Sequence, residues 1–301
     1  MPDVAQNPLL SLSEALAECA GFARPLVVGI AVRGRRLRSG TLWRKDVVVA
    51  SEQAFPEAEE ATVTFADTRA FPARVAGRDP GTNVIVLRLD GAMPDPPTLL
   101  AAEPRLGALA VGFGADEAGI SIRLGIIHSV GPAWHSRAGG RIDRRITLDM
   151  AVTPREEGGL VLDAAGAILG ISTLGPRRRA LVIPSSTVDS VIEPLLSRGR
   201  VERGWLGAAL QPVLVPEELR SEAGAARALM IMGVSKDGPA AQANLHVGDI
   251  LVAIGGQSVS SPAMVAQHLG PDSVGQPIEL RLIRAGNLLP THVTVAARPA
   301  R

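Results

Sequence analysis

The sequence predicts a mainly β protein. Glycine and proline account for 32 and 23 of the 301 residues and recur along the whole chain as punctuation. Between them stand short runs rich in Val, Ile and Leu, and helical periodicity is confined to a few segments. Such runs, a few residues apart, fit sandwiches or barrels better than a sheet built with crossover helices. A hydrophobic content of 46% with 20% charged residues fits a globular chain of about two domains.

The first element is a helix, with Ser11 or Ser13 as cap and Phe22 near its end, presenting Leu12, Leu16, Cys19 and Ala20 on one face. Strands are expected over 26–32, 42–50, 61–65, 73–77, 84–89, 108–112, 121–130, 145–148, 160–162, 168–173 and 180–183. A second helix spans 185–197, where Val188, Ile192, Leu195 and Leu196 repeat at helical spacing and Gly199 supplies the stop, making a natural hinge. Beyond it come an apolar segment over 204–210, a polar, Ala-rich loop over 216–226 and strands over 229–234 and 250–254. A helix over 262–269 and strands over 278–283 and 292–296 complete the chain.

Charge and composition exclude several classes of partner. Thirty-one basic against thirty acidic residues leave a net charge of +1, too little to hold a phosphate backbone or an anionic membrane surface. Nucleic acid is therefore not an expected partner. The apolar run over 25–32 is far shorter than the roughly 20 residues that span a bilayer, so no membrane insertion is expected. Residues 1–24 lack the basic start, apolar middle and small-residue cleavage site of a secretory leader, which predicts a cytoplasmic location. One cysteine, Cys19, and five histidines without ligand spacing predict no disulfide framework, metal or cofactor.

The stretches GWLGAALQPV (204–213) and DGPAAQANLHVGDILVAIGGQSV (237–259) resemble the PDZ domain of the HtrA/Deg family of serine proteases. VAGRDPGTNVIVLRLD (75–90), EEGGLVLDAAGAILGIST (156–173) and IPSSTVDSVIEPLLSRGRVERGWLG (183–207) resemble the same family's trypsin-like domain. The resemblance implies an N-terminal helical arm over 1–24, a trypsin-like double β-barrel over 25–200 and a PDZ domain over 201–301.

A trypsin-like site needs a serine oxygen, a histidine base and a carboxylate that orients the base. By resemblance, VVVASEQAF (47–55) puts Gln53 in the histidine slot, DPGTNVIVL (79–87) puts Asn83 in the aspartate slot, and REEGGL (155–160) puts Glu157 in the serine slot. Arg155 stands where the family has the glycine that opens the oxyanion hole, and a residue with a Cβ resists positive φ. The expectation from these four positions is a pseudoprotease without turnover.

The peptide-binding loop, in contrast, retains the family's chemistry. It is Trp205, Leu206, Gly207 and Ala208, whose N–H groups would receive a peptide carboxylate, with Met264, Val265 and His268 on the helix that flanks the groove. Trp205 has a second reading, as packing at the hinge.

Other features carry paired readings. Glu156 and Glu157 beside Asp149 form either a carboxylate pocket or a solvated loop with Glu157 paired to Arg155 or Arg177. Arg33, Arg35, Arg36 and Arg38, with Arg177, Arg178 and Arg179, are either plain exposed loops or a docking patch for an acidic partner. Cys19 is either core or a redox switch.

The expected function is an adaptor or scaffold that binds the C-terminus or an extended segment of a protein partner through the PDZ domain and the barrel surface. The alternatives are a regulatory subunit of an active paralogue, or a hydrolase with a non-standard site. Family members trimerise through N-terminal aromatic contacts. Phe22 alone represents them here, so a homo- or hetero-oligomer is a possibility the residues leave open.

Overall fold

Asn7 and Pro8 start the first helix, α1 (Pro8–Ala23), in this computed structural model, which describes residues 7–32, 36–91, 96–116, 119–136, 138–175 and 178–299. The Asn7 side chain accepts the Leu9 N–H at 3.0 Å, and Pro8 takes the first helical position, where no N–H is required. The expected start at Ser11 or Ser13 is thus one turn late. The expected apolar face is also only partly covered: Cys19 and Ala23 are buried, whereas Leu12 is exposed, with Leu9 and Leu10. Burial raises the Cys19 thiol, and Asp163 adds to the effect, so the side chain stays a neutral apolar filler.

The chain divides into two compact units, Met1–Arg200 and Val201–Arg301. In the first, β1 (Val27–Ala31), β2 (Arg38–Arg44), β3 (Val47–Ser51), β4 (Glu60–Phe65), β5 (Ala70–Asp79) and β6 (Val84–Leu89) close a barrel in the order β1-β2-β3-β6-β5-β4. Inward residues at period two, Val28 and Ile30, Val48 and Ala50, Ile85 and Leu87, fill it together with Phe55. Each such aliphatic side chain contributes about 1.5–3 kcal/mol by leaving water.

The single strand expected over 42–50 is a hairpin. Its charged middle breaks the strand: Arg44 ends β2, and Lys45 and Asp46 form the turn into β3, with Asp46 in the left-handed conformation at φ 58°.

A second barrel follows, built from β7 (Leu109–Asp116), β8 (Gly119–Gly131), the short hairpin β9 (Trp134–His135) and β10 (Arg141–Ile142) beside it, then β11 (Arg145–Ala151), β12 (Leu160–Asp163), β13 (Ile168–Leu174) and β14 (Arg179–Pro184). It closes in the order β11-β14-β13-β12-β7-β8 around Ala110, Ile127, Ile146, Leu148, Val161 and Val182. Strand β7 lies against β1 and β2, which brings the two barrels face to face. The closing helix α2 (Ser185–Arg198) buries Val188, Val191, Ile192 and Leu195, and Gly199 ends it at φ 72°. Of the predicted arginine loops, Arg33, Arg35 and Arg177 lie outside the described residues; Arg36 is exposed, Arg38 opens β2, and Arg179 lies 4.0 Å from Asp149.

The second unit is a PDZ fold. Strands β15 (Gly204–Trp205), β16 (Ala208–Leu214), β17 (Arg227–Val234), β18 (Ile250–Ile254), β19 (Gln257–Ser258), β20 (Pro277–Arg284), β21 (Asn287–Thr294) and β22 (Ala296–Ala297) are joined by α3 (Arg220–Ala223), α4 (Pro239–Gln242) and α5 (Pro262–Gln267). The main sheet runs β16-β17-β18-β20-β21, leaving β16 at one edge, with α5 packed beside it. Two expectations change here. The segment over 204–210 breaks into β15 and β16, and the loop over 216–226 holds α3, whose Ala223 joins Val215, Ala228, Val252 and Ile283 in a small second core.

Asp249 pins this unit. It is 3% exposed, accepts the His246 N–H at 2.8 Å and takes two hydrogen bonds, 2.6 and 2.8 Å, from the Arg284 guanidinium. Burial alone would raise its carboxyl, but the Arg284 and His246 bonds outweigh that and hold it below the ordinary value. A depressed folded pKa adds stability that is complete above about pH 4, the unfolded value, and is lost as pH falls through the folded one. Asp249→Ala is therefore expected to cost the second unit about 2 kcal/mol at pH 7 and to flatten its stability profile below pH ~4, read by urea melts of the full chain at a series of pH values. An unchanged acid limb in the variant would contradict the assignment.

Candidate functional site

Two places combine polar groups with unusual backbone. In the first unit, Ser51 ends β3, Gln53 lies in the 3-10 turn after it (Glu52–Ala54), and Asn83 precedes β6. The loop that carries Asn83 is shaped by buried Asp79, which accepts from the Gly81 N–H (3.0 Å), the Thr82 N–H (3.1 Å) and the Thr82 hydroxyl (2.8 Å). Asn83 itself sits at φ 60°, and its side-chain oxygen accepts the Gln53 N–H at 2.9 Å.

Glu157 comes from the second barrel, in the turn before β12. Gly158 gives that turn its left-handed residue, at φ 91°, and a Cβ there would stand 2.5 Å from the Ser39 carbonyl oxygen. The left-handed position is thus Gly158 and not Arg155, whose carbonyl is held by the Ser39 hydroxyl at 2.6 Å. Glu156 braces the same turn. Its carboxylate binds Arg123 and takes both the N–H (2.9 Å) and hydroxyl (2.8 Å) of Thr153. Burial pushes the Glu156 carboxyl up, and the Arg123 and Thr153 bonds together bring it below its ordinary value.

The three positions singled out from sequence, Gln53, Asn83 and Glu157, are brought together. Glu157 Oε1 accepts from the Ser51 hydroxyl (2.9 Å), the Thr173 hydroxyl (2.8 Å), the Leu174 N–H (3.4 Å) and the Gln53 amide. The Asn83 amide donates to Ser51 Oγ (2.9 Å) and Thr173 Oγ1 (2.8 Å), and the Gln53 amide donates to Thr173 Oγ1 (3.0 Å). Each hydroxyl thus receives a bond and passes its own proton toward the carboxylate.

This corrects the expectation of a solvated loop. Glu157 is 3% exposed and turns inward because donors from the opposite barrel await it, while Arg177 lies outside the described residues. Sequence reasoning does not single out Thr173 as a member of the cluster, although it stands in β13, where every residue from Ile168 to Thr173 is buried.

In the second unit, Trp205 pairs with Ala296 and its ring lies over Gly207 and Gly238, where an added Cβ would approach within 3.4 and 3.2 Å. Leu206 is buried in the core with Leu229, Leu245 and Val265, and its carbonyl accepts the Ala240 N–H at 2.7 Å. Gly207 turns the chain at φ 75° and gives its carbonyl to the Ser235 N–H at 2.8 Å. Among the described residues, neither the Leu206 nor the Gly207 N–H has an acceptor. On α5, Val265 is 4% exposed and belongs to the core, Met264 is half-buried at the edge of that core, and half-buried His268 follows the last turn.

Fold and motifs together define a trypsin-like peptidase domain followed by a PDZ domain. Residues 38–171 match the family described as trypsin-like peptidase domain, and 206–295 match the PDZ domain family. The chain is 29% identical over 294 residues to a probable periplasmic serine endoprotease DegP-like of Brucella suis, covering 93% of this chain and 54% of that protein. A protein of the same description from Pseudomonas savastanoi is 30% identical over 279 residues, covering 87% of this chain and 56% of the relative. The chain spans about half the length of these curated relatives.

Among solved structures, the HtrA-type protease AlgW with tripeptide superposes with a TM-score of 0.74 at 26% identity, over 95% of this chain and 98% of that one. The serine endoprotease from Yersinia pestis shares the fold, with a TM-score of 0.74 at 24% identity over 94% and 98% of the two chains. Over both of its units the chain is thus similar to serine endoproteases of the DegP-like and HtrA types, which carry the same fold.

They also overturn two expectations. The relatives are named serine endoproteases, which points to a protease and against a chain that is no enzyme. Side-chain identities at three positions were too narrow a ground for that conclusion. The relatives are also named periplasmic, which conflicts with a cytoplasmic location read from residues 1–24. No helix among the described residues is long and apolar enough to cross a membrane.

The cluster around Glu157 has a measurable consequence. Glu157→Leu leaves two hydroxyls and an amide without their acceptor and is expected to cost the first unit about 3 kcal/mol, whereas Glu157→Gln keeps an acceptor oxygen and should cost about 1 kcal/mol. Urea denaturation followed at the tryptophans measures both. Equal losses from the two variants would show that the hydrogen bonds do not hold the turn.

Proposed function

We propose that this protein binds peptide carboxyl termini in the groove between β16 and α5, as the recognition unit of an HtrA/Deg-type protein. The observation that carries the reading is the pair of N–H groups at Leu206 and Gly207, without acceptors among the described residues, at the entrance to a sheet edge that no strand occupies. Two adjacent N–H groups in a glycine turn form a concave donor site for a carboxylate, and an added strand supplies the partners that the edge lacks. Trp205, Leu206, Gly207 and Ala208 form the carboxylate end. Met264 and His268 flank the groove, and Val265 holds α5 against the core. The HtrA-type protease AlgW, solved with a tripeptide, agrees with such a use of the fold.

The relatives' names extend the reading to periplasmic serine endoproteolysis. Gln53, Asn83 and Glu157 occupy the triad slots, so a hydrolytic step on this chain draws on groups other than a Ser-His-Asp set. Casein turnover and fluorophosphonate labelling on one preparation test it apart from binding, and loss of label on substitution of one serine identifies the nucleophile.

Binding is tested on an array of C-terminal peptides presented as free acids and as amides. Free acids with an apolar last residue are expected to bind with modest affinity and the amides at least about tenfold more weakly, the usual cost of losing charge-assisted bonds to N–H donors. Gly207→Val should abolish the preference. Its side chain would demand positive φ and would meet Pro239 Cδ at 3.3 Å and the Trp205 ring at 3.4 Å. Equal binding of acids and amides would refute the carboxylate site.

A further inference from the structure

We infer that Pro212 sets the length of peptide that this groove reads, ending the recognised segment after about four residues from the carboxyl terminus. The inference rests on the peptide-binding reading above and adds a residue that fixes its extent.

The hydrogen-bond register of β16 decides which residues face the open edge. At its start, the Gly207 carbonyl accepts from the Ser235 N–H, and just beyond its end, the Val215 N–H donates to the Ala226 carbonyl at 3.0 Å. Backbone groups of a strand point alternately to its two sides, so the Gly207 carbonyl and residues 209, 211, 213 and 215 bond toward β17. The two anchors agree because the irregularity between Ala209 and Leu210 adds its extra residue, Met232, on β17 and leaves the alternation of β16 intact. Ala208, Leu210, Pro212 and Leu214 therefore turn their backbone groups to the free edge.

A peptide whose carboxylate sits at Leu206 and Gly207 ends where β16 begins, so it runs antiparallel to that strand. Its terminal residue then pairs with Ala208 and its third from last with Leu210. The fifth from last meets Pro212, which has no N–H, and the proline ring occupies the space where a donated hydrogen would lie. Pro212 is exposed in the middle of an otherwise regular strand, a position a proline occupies without loss only because its nitrogen faces no partner strand. The ladder offered to a ligand is thus continuous as far as Leu210 and broken at Pro212.

The test uses the full chain and fluorescein-labelled free-acid peptides of four, six and ten residues that share one apolar C-terminal tetrapeptide, with the amidated tetrapeptide alongside. The three free acids are expected to bind within about twofold of one another. Pro212→Ala restores one N–H and should leave the tetrapeptide unchanged while tightening the longer peptides about fivefold, the equilibrium effect of one net hydrogen bond. Pro212→Val repeats the measurement with a strand-favouring residue, and tetrapeptide affinity reports that the groove is intact in either variant.

A decapeptide that binds the unsubstituted chain about fivefold or more tighter than the tetrapeptide would overturn the inference. So would length independence that persists in both variants with tetrapeptide binding intact. Equal binding of the amidated and free tetrapeptides would instead remove the underlying reading, and with it the register from which Pro212 is counted.

Discussion

One oxygen atom, Glu157 Oε1, joins the two barrels. It lies in the interior, where a polar oxygen without donors is costly to keep, and its donors arrive from both sides: Ser51 and Gln53 from the first barrel, Thr173 and the Leu174 N–H from the second. The turn over 154–158, the end of β3 and the loop before β6 must therefore be in register with one another. Asp79 holds the loop before β6 from behind, and Glu156 and Ser39 hold the turn before β12, each through bonds to backbone N–H or carbonyl groups. The region reads as a polar lock between barrels whose aliphatic cores are otherwise separate.

The second unit solves a different problem, that of keeping one strand edge open. Gly207 turns the chain so that β15 pairs with β22 while β16 joins the main sheet, and the junction leaves two N–H groups without acceptors among the described residues. The buried Leu206 side chain and the Trp205 ring keep that turn in place. The proposed recognition surface rests on core packing directly beneath it, and Val265 belongs to that core, holding α5 in position rather than lining the groove.

Much of this was legible in the residues. Continuous aliphatic runs such as VIVLRL over 84–89, buried but for Arg88, and the Gly199 stop of α2 mark elements that the structure contains. The failures have physical causes. An apolar run interrupted by Arg44, Lys45 and Asp46 was read through as one strand, although three charged residues in a row make a turn. The sequence leaves Glu157 between a carboxylate pocket and a solvated loop because its donors are remote in sequence: Ser51 lies 106 residues away, and only tertiary structure brings it near. Thr173 belongs to the same category. Pro212 passed unnoticed because its meaning depends on hydrogen-bond parity, which composition does not carry. Inferences about activity and compartment leaned on single positions and on the first residues of the chain, and the named relatives point elsewhere.

The proline on β16 also bears on the behaviour of many copies together. An unpaired strand edge invites other chains to add to it, and repeated addition leads to aggregates. A ring that breaks the donor row at mid-strand prevents a long partner strand from seating along the whole edge, while the first half remains open to a short one. One residue thus limits edge-to-edge pairing between copies without closing the first half of the strand to a short partner.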